Sequence, residues 1–350
     1  MPSHITTFVA DRWCIPAEQI RVKTRAIRGG LESAVTRADV QVLDANSDGI
    51  PPRLVVKELH GRASREADVY ELLWKSLEDP PTARIFGSNI VGDSRYLFLE
   101  DVRSGTNWPW RDTAATEAVC RALAHLHDVV FPRGRIAFWD YEAELAHSAR
   151  DTLAFAASAR TQQATRVWQP IGELKRVVEA LPQIRLRLLR AGTTLIHGDV
   201  HPGNVIVRPN ESSAFCVALI DWGRARVGSP LEDVASWLHS LGCWEPEARR
   251  RHDTLLLAYL ASRRSVEQLT TDLRKRYWFA SVSNGLAGAI RHHIAVLSNP
   301  ATGLSARTNS QMALRAWERV VRRAAALVPA NRSHRIAATP PVRRSPTSLR

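Results

Sequence analysis

The densest run of chemically capable side chains is His197-Gly198-Asp199-Val200-His201-Pro202-Gly203-Asn204. It is followed, 17 residues beyond Asn204, by Asp221 in Ile220-Asp221-Trp222-Gly223. A segment this rich in Gly, Pro and His is a poor helix and reads as a fixed loop. Residues 205–207 and 216–220 read as a hairpin, which returns Asp221 close to Asn204. An amide oxygen and a carboxylate meeting there are hard ligands suited to Mg²⁺, with phosphates completing the shell. Asp199, left outside that pair, is free to accept a proton from a hydroxyl. In isolation these are three polar loop residues near a strand. A different chemistry also uses them: His197, Asp199 and His201 with Asp221 are the ligand types of a transition-metal hydrolase.

The form His-Gly-Asp-x-His-Pro-x-Asn, followed by Ile-Asp-Trp-Gly, resembles the aminoglycoside phosphotransferase and choline kinase family. That family shares the protein-kinase-like fold, whose protein-kinase version of these motifs reads His-Arg-Asp and Asp-Phe-Gly. The resemblance implies Asp199 as catalytic base, and Asn204 and Asp221 as Mg²⁺ ligands. It implies ATP or GTP as phosphoryl donor and a small-molecule hydroxyl as acceptor. A kinase also needs a strand lysine for the α- and β-phosphates and a helix glutamate to hold it. Lys57 is one of only five lysines, and Glu66 lies nine residues later at the start of an expected helix. Alone, Lys57 would read as a solvent-facing strand residue, and Glu66 as a helix-start acid favoured by the dipole. The phosphate-covering loop matches more loosely. Gly29, Gly30 and Ser33 stand where the family often shows Gly-Gly-x-x-Ser, and their backbone N–H groups and hydroxyl suit phosphates. Backbone groups of Glu100 and Val102 fall at the inter-lobe hinge that takes adenine. Asp233 is expected to support the catalytic loop, and His197 to brace it. Only residues 224–228 separate Asp-Trp-Gly from the next helix, which leaves no platform for an extended peptide substrate.

The elements that must position these residues follow from periodicity. Strands are expected at 20–27, 34–43, 53–59, 84–91 and 96–102, with one helix at 62–77. After residue 102 the pattern turns helical. Asp112 caps a helix whose Val119, Leu123, Leu126 and Val130 share a face. Further helices are expected at 142–159, 172–190, 246–262, 265–297 and 309–328. Ser229-Pro230-Leu231-Glu232 reads as a helix start. The expected fold is α+β and two-lobed. Residues 1–103 form a small β-rich nucleotide-binding lobe, 104–330 a larger helical catalytic and acceptor-binding lobe, and 331–350 a basic, Pro-rich disordered tail.

The chain has 350 residues, 45% hydrophobic and 24% charged, which suits a globular protein. No run of 18 apolar residues spans a membrane, and no secretory signal opens the sequence. Four scattered cysteines form no Cys-x-x-Cys pair, which fits a reducing cytoplasm. The net charge of +13 lies wholly in the last third: residues 234–350 hold 19 basic and 6 acidic side chains. No zinc finger or RNA-recognition signature accompanies that charge, so nucleic acid is not the expected partner. Neither a Gly-Lys-Ser/Thr phosphate loop nor a Gly-x-Ser-x-Gly elbow occurs. Trp108, Trp110, Trp139, Trp278 and Trp317 are candidates for an acceptor pocket, while Trp237 reads as structural. Taken together, these residues point to a nucleotide-dependent small-molecule kinase. The alternatives are a catalytically silent kinase-like binding module and the metal-dependent hydrolase.

Overall fold

Strict alternation of side chains builds the N-terminal sheet. The computed structural model describes residues 3–329 apart from 28–32, 44–48, 103–107, 133, 135, 138, 162–167, 210–214 and 265–267. Five antiparallel strands, β1 (Ile20–Ile27), β2 (Ser33–Val42), β3 (Arg53–Leu59), β4 (Ile85–Val91) and β5 (Ser94–Glu100), run in the order β1-β2-β3-β5-β4. Lys57 of central β3 is paired with Val35 of β2 and Leu97 of β5. Because successive residues face opposite ways, Leu54 and Val56 point to one side and Val55, Lys57 and Leu59 to the other. The second side meets helix α2 (Arg65–Ser76), which buries Glu66, Tyr70 and Leu73.

The first side carries an element that sequence analysis did not expect, helix α1 (His4–Trp13). Its Ile5, Phe8 and Val9 cover Leu54, Val56 and Phe98. The Phe8 ring lies flat on Phe98 with centroids 3.6 Å apart. The signal was present: Ser3 accepts the Thr6 N–H as a cap, and the three apolar residues have i, i+3, i+4 spacing. A ten-residue helix has fewer than three turns to show that pattern, so it is easily lost beside five strands.

The rest of the chain is mostly helical. Helix α3 (Thr113–His127) starts on the Asp112 cap, as expected, with Asp112 accepting from Ala114 N–H at 2.7 Å. It ends before Val130, which is exposed rather than on the shared face. Helix α4 (Tyr141–Thr161) follows. The single helix expected at 172–190 is two, α5 (Ile171–Glu179) and α6 (Leu181–Arg190). Pro182 sits in the first turn of α6, where its missing N–H costs nothing. Short strands β6 (Thr194–Ile196), β7 (Val205–Pro209), β8 (Phe215–Leu219) and β9 (Arg226–Gly228) flank the loop of interest, with β7 paired to β8 and β6 to β9.

Six more helices follow among the described residues: α7 (Pro230–Trp244), α8 (Pro246–Arg250), α9 (His252–Ser262), α10 (Thr271–Asn284), α11 (Ile290–Ser298) and α12 (Leu304–Leu327). Helix α7 opens on the expected capping box, Ser229 with Glu232. The long helix expected at 265–297 is broken: a wide turn at Gly285–Ala289 separates α10 from α11. A Cβ on Gly285 would come within 2.9 Å of the Trp317 ring, and Gly288 has φ +140°, which L side chains rarely adopt. Those two glycines permit the bend, and the bend opens space beside α7 and α12. Residues 331–350, Gly29 and Gly30 lie outside the described residues, as does the junction at 103–107.

Candidate active site

Pairing of β7 with β8 aligns Val205 with Leu219, and one step further the Ile220 N–H donates to the Asn204 carbonyl at 2.9 Å. Asn204 and Asp221 therefore emerge side by side, as the loop-and-hairpin reading required. The Asn204 amide donates to the Asp199 carbonyl at 3.0 Å, which leaves its Oδ1 uncommitted. The hairpin is tied to the segment between α2 and β4 through Thr82, which donates to the Leu219 carbonyl and accepts from Trp222 Nε1 at 2.9 Å.

Lys57 reaches across from β3. Its Nζ donates to both Glu66 oxygens at 2.7 Å and to Asp221 Oδ1 at 2.9 Å. Lys57 is 6% exposed and Glu66 1%. Burial works against the ammonium, but the carboxylates of Glu66 and Asp221 overcome it and hold the Lys57 pKa above its ordinary value. Burial likewise opposes ionisation of Asp221, and Lys57 outweighs it, so that carboxyl lies below the usual range. Glu66 Oε1 also accepts the Trp222 N–H at 3.1 Å. These contacts sustain Asp221 in a left-handed conformation (φ +67°), a strain of about 1 kcal/mol or more for a non-glycine residue.

The loop itself is braced from below. Asp233, fully buried on α7, accepts the His197 N–H at 2.7 Å and the Gly198 N–H at 2.8 Å. His127 of α3 pairs with the same carboxylate at 3.2 Å and with Tyr259 at 3.0 Å. His197 accepts the Asp199 N–H on Nδ1 and donates from Nε2 to the Ile220 carbonyl at 2.9 Å. Burial pushes its pKa down, so it stays neutral in that tautomer. With both nitrogens spent on backbone, His197 has no lone pair for a metal, which removes it from the hydrolase ligand set. Among the described residues no cluster of three His, Cys, Asp or Glu side chains is disposed to hold a metal. The Asp199 backbone is thus pinned at both N–H and carbonyl, while its side chain is 44% exposed with His201 Nε2 3.9 Å away.

Sequence reasoning missed a buried charge network beneath this loop. Arg226 donates to Glu232 at 2.6 Å and lies 3.6 Å over the Tyr141 ring. Arg185 reaches the same Glu232 oxygen at 3.1 Å and holds Glu142 through three further bonds. Gly198 (φ +82°) approaches so closely that a Cβ would lie 2.3 Å from the Arg226 guanidinium. Nothing in an Arg-Ala-Arg string marks one arginine as buried. His127 had a legible signal, because a polar residue four after Leu123 falls on the apolar face of α3.

Two cavities meet at Asp199, His201, Gly203 and Arg224. One, about 620 Å³, lies under the sheet and is lined by Val35, Val55, Lys57, Leu99, Ile206 and Ile220. Ser33, Glu100 and Val102 also border it. The Val102 N–H donates to the Glu100 carbonyl at 3.0 Å. The other, about 910 Å³, lies among α7, α12 and the wide turn. Of the tryptophans singled out, Trp108 and Trp317 line it. Trp110 is buried edge-on against Trp237, Trp278 packs on Tyr277, and Trp139 lies beneath Arg62, Arg65 and Arg224. Trp244 lines the cavity unexpectedly.

Residues 36–270 match the family model described as phosphotransferase enzyme family. The chain belongs to that family. Its fold agrees with solved members of the kinase-like group. An ethanolamine kinase of Plasmodium vivax matches with TM-score 0.56 and 10% identity, over 86% of this chain and 82% of that one. A choline kinase of Cryptosporidium parvum matches with TM-score 0.56 and 14% identity, over 92% and 96%. A spectinomycin phosphotransferase, solved with ADP and spectinomycin, matches with TM-score 0.53 and 14% identity, over 86% and 92%. No curated protein matches the sequence. This phosphotransferase-family chain has no helix among its described residues long and apolar enough to cross a membrane.

Proposed function

We propose that the protein transfers the γ-phosphoryl group of ATP or GTP to the hydroxyl of a small molecule. The observation that carries this reading is the convergence of Lys57, Glu66 and Asp221 with Asn204 and Asp199 at the junction of two cavities. The sheet-side cavity takes the nucleotide, with the backbone of Glu100 and Val102 toward adenine and Ser33 toward the phosphates. Gly29 and Gly30 belong to the same phosphate-covering loop in this reading. Residues 1–103 then serve as the nucleotide lobe and 104–330 as the acceptor lobe.

Lys57 neutralises phosphate charge, held ready by Glu66. Asn204 Oδ1 and the Asp221 oxygen not bonded to Lys57 are hard donors that fit Mg²⁺. When bound, Mg²⁺ supplies charge neutralisation across the nucleotide phosphates. Asp199 orients the acceptor hydroxyl and takes its proton as the phosphoryl group moves in line. His197 and Asp233 keep the Asp199 backbone where that proton is taken. The protein's contribution is positioning and electrostatics.

Calorimetry with Mg·ATP and Mg·GTP, together with nucleotide turnover against aminoglycosides, choline, amino-alcohols, sugars and hydroxylated macrolactones, tests the reading. Saturable, Mg²⁺-dependent binding and stimulation by at least one acceptor are expected. Binding without any stimulated turnover would instead favour a silent kinase-like module.

A further inference from the structure

The larger cavity ends at Asp199 and is walled mainly by aromatic and small apolar side chains. Trp108, Trp244 and Trp317 stand around it, and Ala313, Ala316 and Val320 of α12 form one wall. Its charged lining among the described residues is Asp199 and Arg224, beside four histidines. Arg224 is already met by Glu144 at 3.8 Å and by the Trp139 ring. Burial, with His252 and Arg319 nearby, pushes His239 down to about 3. Burial and His292 push His293 down to about 4, so both rings are uncharged near neutral pH.

Nearby carboxylates are spent on the protein's own groups. Glu142 holds Arg185 at 2.7 and 2.9 Å, Glu144 pairs with Arg62 and Arg224, and Glu245 takes the Trp108 indole N–H and Arg111. An ammonium brought here would find a single carboxylate, Asp199, which the reaction needs for the hydroxyl proton, and aromatic faces worth only about 0.5–2 kcal/mol each. Leaving it otherwise unpaired in an apolar setting costs several kcal/mol. An anionic body would meet Asp199 and the nucleotide phosphates with no free cation to receive it. Two of the polar groups that remain are neutral acceptors. Ser281 donates to the Tyr277 carbonyl at 2.7 Å, so His239 Nε2–H donates to Ser281 Oγ at 2.8 Å, and Nδ1 is left as an acceptor. The Asn284 amide donates to the Glu232 carbonyl at 2.8 Å, which leaves its Oδ1.

We propose that the acceptor is an uncharged alcohol with a bulky apolar body, seated in this cavity with its reacting hydroxyl at Asp199. The inference rests on the phosphotransferase reading above. A volume of about 910 Å³ lies at the upper end of the range for drug-sized ligands, well beyond a choline-sized molecule. Further hydroxyls on the body find His239 and Asn284.

The test uses the full chain and Nile red, an uncharged apolar dye. Dye binding is expected to weaken at least about tenfold in Ala316→Trp, whose indole fills the cavity. Displacement then ranks competitors: an uncharged hydroxysteroid and a hydroxylated macrolactone are expected to displace the dye at least about tenfold more tightly than choline or a polyammonium aminocyclitol. Equal or tighter displacement by the cationic compounds overturns the proposal. So does dye binding that Ala316→Trp leaves unchanged, or failure of both uncharged compounds to displace it. Mg·ATP binding is measured on the same samples. Its absence refutes the phosphotransferase reading, while the displacement order still decides the chemistry of the cavity.

Discussion

Lys57 is the side chain on which the electrostatics of the site turn. It is buried with two carboxylates, Glu66 at 2.7 Å and Asp221 at 2.9 Å. A buried ion pair is weak evidence of net stability, because desolvation consumes most of the Coulombic gain. Breaking one is another matter, since the remaining charge is left without its partner. Lys57→Met, which strands the buried Glu66 carboxylate, is therefore expected to lose about 3–5 kcal/mol of unfolding free energy and to weaken Mg·nucleotide binding. Lys57→Met combined with Glu66→Ala removes both charges and should recover part of that stability, though not nucleotide binding. A denaturant-unfolding cycle checks this. A double variant less stable than either single variant would contradict the buried-charge account. At this scale the sequence was informative wherever spacing carried meaning. Lys57, Glu66, Asp199, Asn204, Asp221 and Asp233 were all named from their strings. Arg226 and Arg185 were not, because burial of an arginine depends on Glu232 and Tyr141 arriving from elsewhere in the chain.

Elements show where local pattern suffices and where tertiary packing decides. The five strands and the hairpin at 205–220 were legible because alternation with period two is independent of distant partners. The division of 172–190 and the break at 285–289 were not, because apolar periodicity continues through both. The Trp317 ring and the Ile290 side chain, both met only in the folded chain, explain why Gly285 must lack a side chain. Helix α7 carries both sides of the site: Asp233 on its first turn under the loop, and His239 two turns later at the larger cavity. His239 yields a pH dependence. Its folded pKa lies near 3, below the ordinary value of 6.5, so the unfolded chain binds a proton that the folded chain refuses. Its contribution to stability is intact above pH 6.5 and is lost as pH falls through that window, by up to about 1.4 kcal/mol per unit. Urea unfolding of wild type and His239→Gln at about pH 7.5 and about pH 5 measures it. The wild type should lose up to about 2 kcal/mol more than the variant across that interval. Identical pH dependence in the two proteins would contradict it.

The whole molecule places two cavities on either side of one carboxylate. The sheet and α2 supply the lysine–glutamate pair, and the β7–β8 hairpin supplies Asn204 and Asp221. Helices α7, α10, α11 and α12 frame the larger space. The basic excess of residues 234–350 falls on those late helices and the undescribed terminus, yet it does not reach the larger cavity as free charge. The one arginine in that cavity's described lining, Arg224, lies outside that stretch and is met by Glu144, and His239 and His293 are neutral. Net charge read from sequence could not show which face of a helix is basic, which is why the tilt away from a polycationic acceptor needed the lining residues to acquire content. The account's central claim concerns Asp199, whose backbone the molecule fixes from His197, Asn204 and Asp233 while leaving its carboxylate open to both cavities. The most direct test is Asp199→Asn, assayed with the acceptor that gives the highest wild-type rate and by calorimetry with Mg·nucleotide. Turnover is expected to fall about 10²–10⁴-fold with nucleotide affinity essentially unchanged. Turnover retained at the wild-type rate would contradict the role of Asp199 as the base, and with it the mechanism.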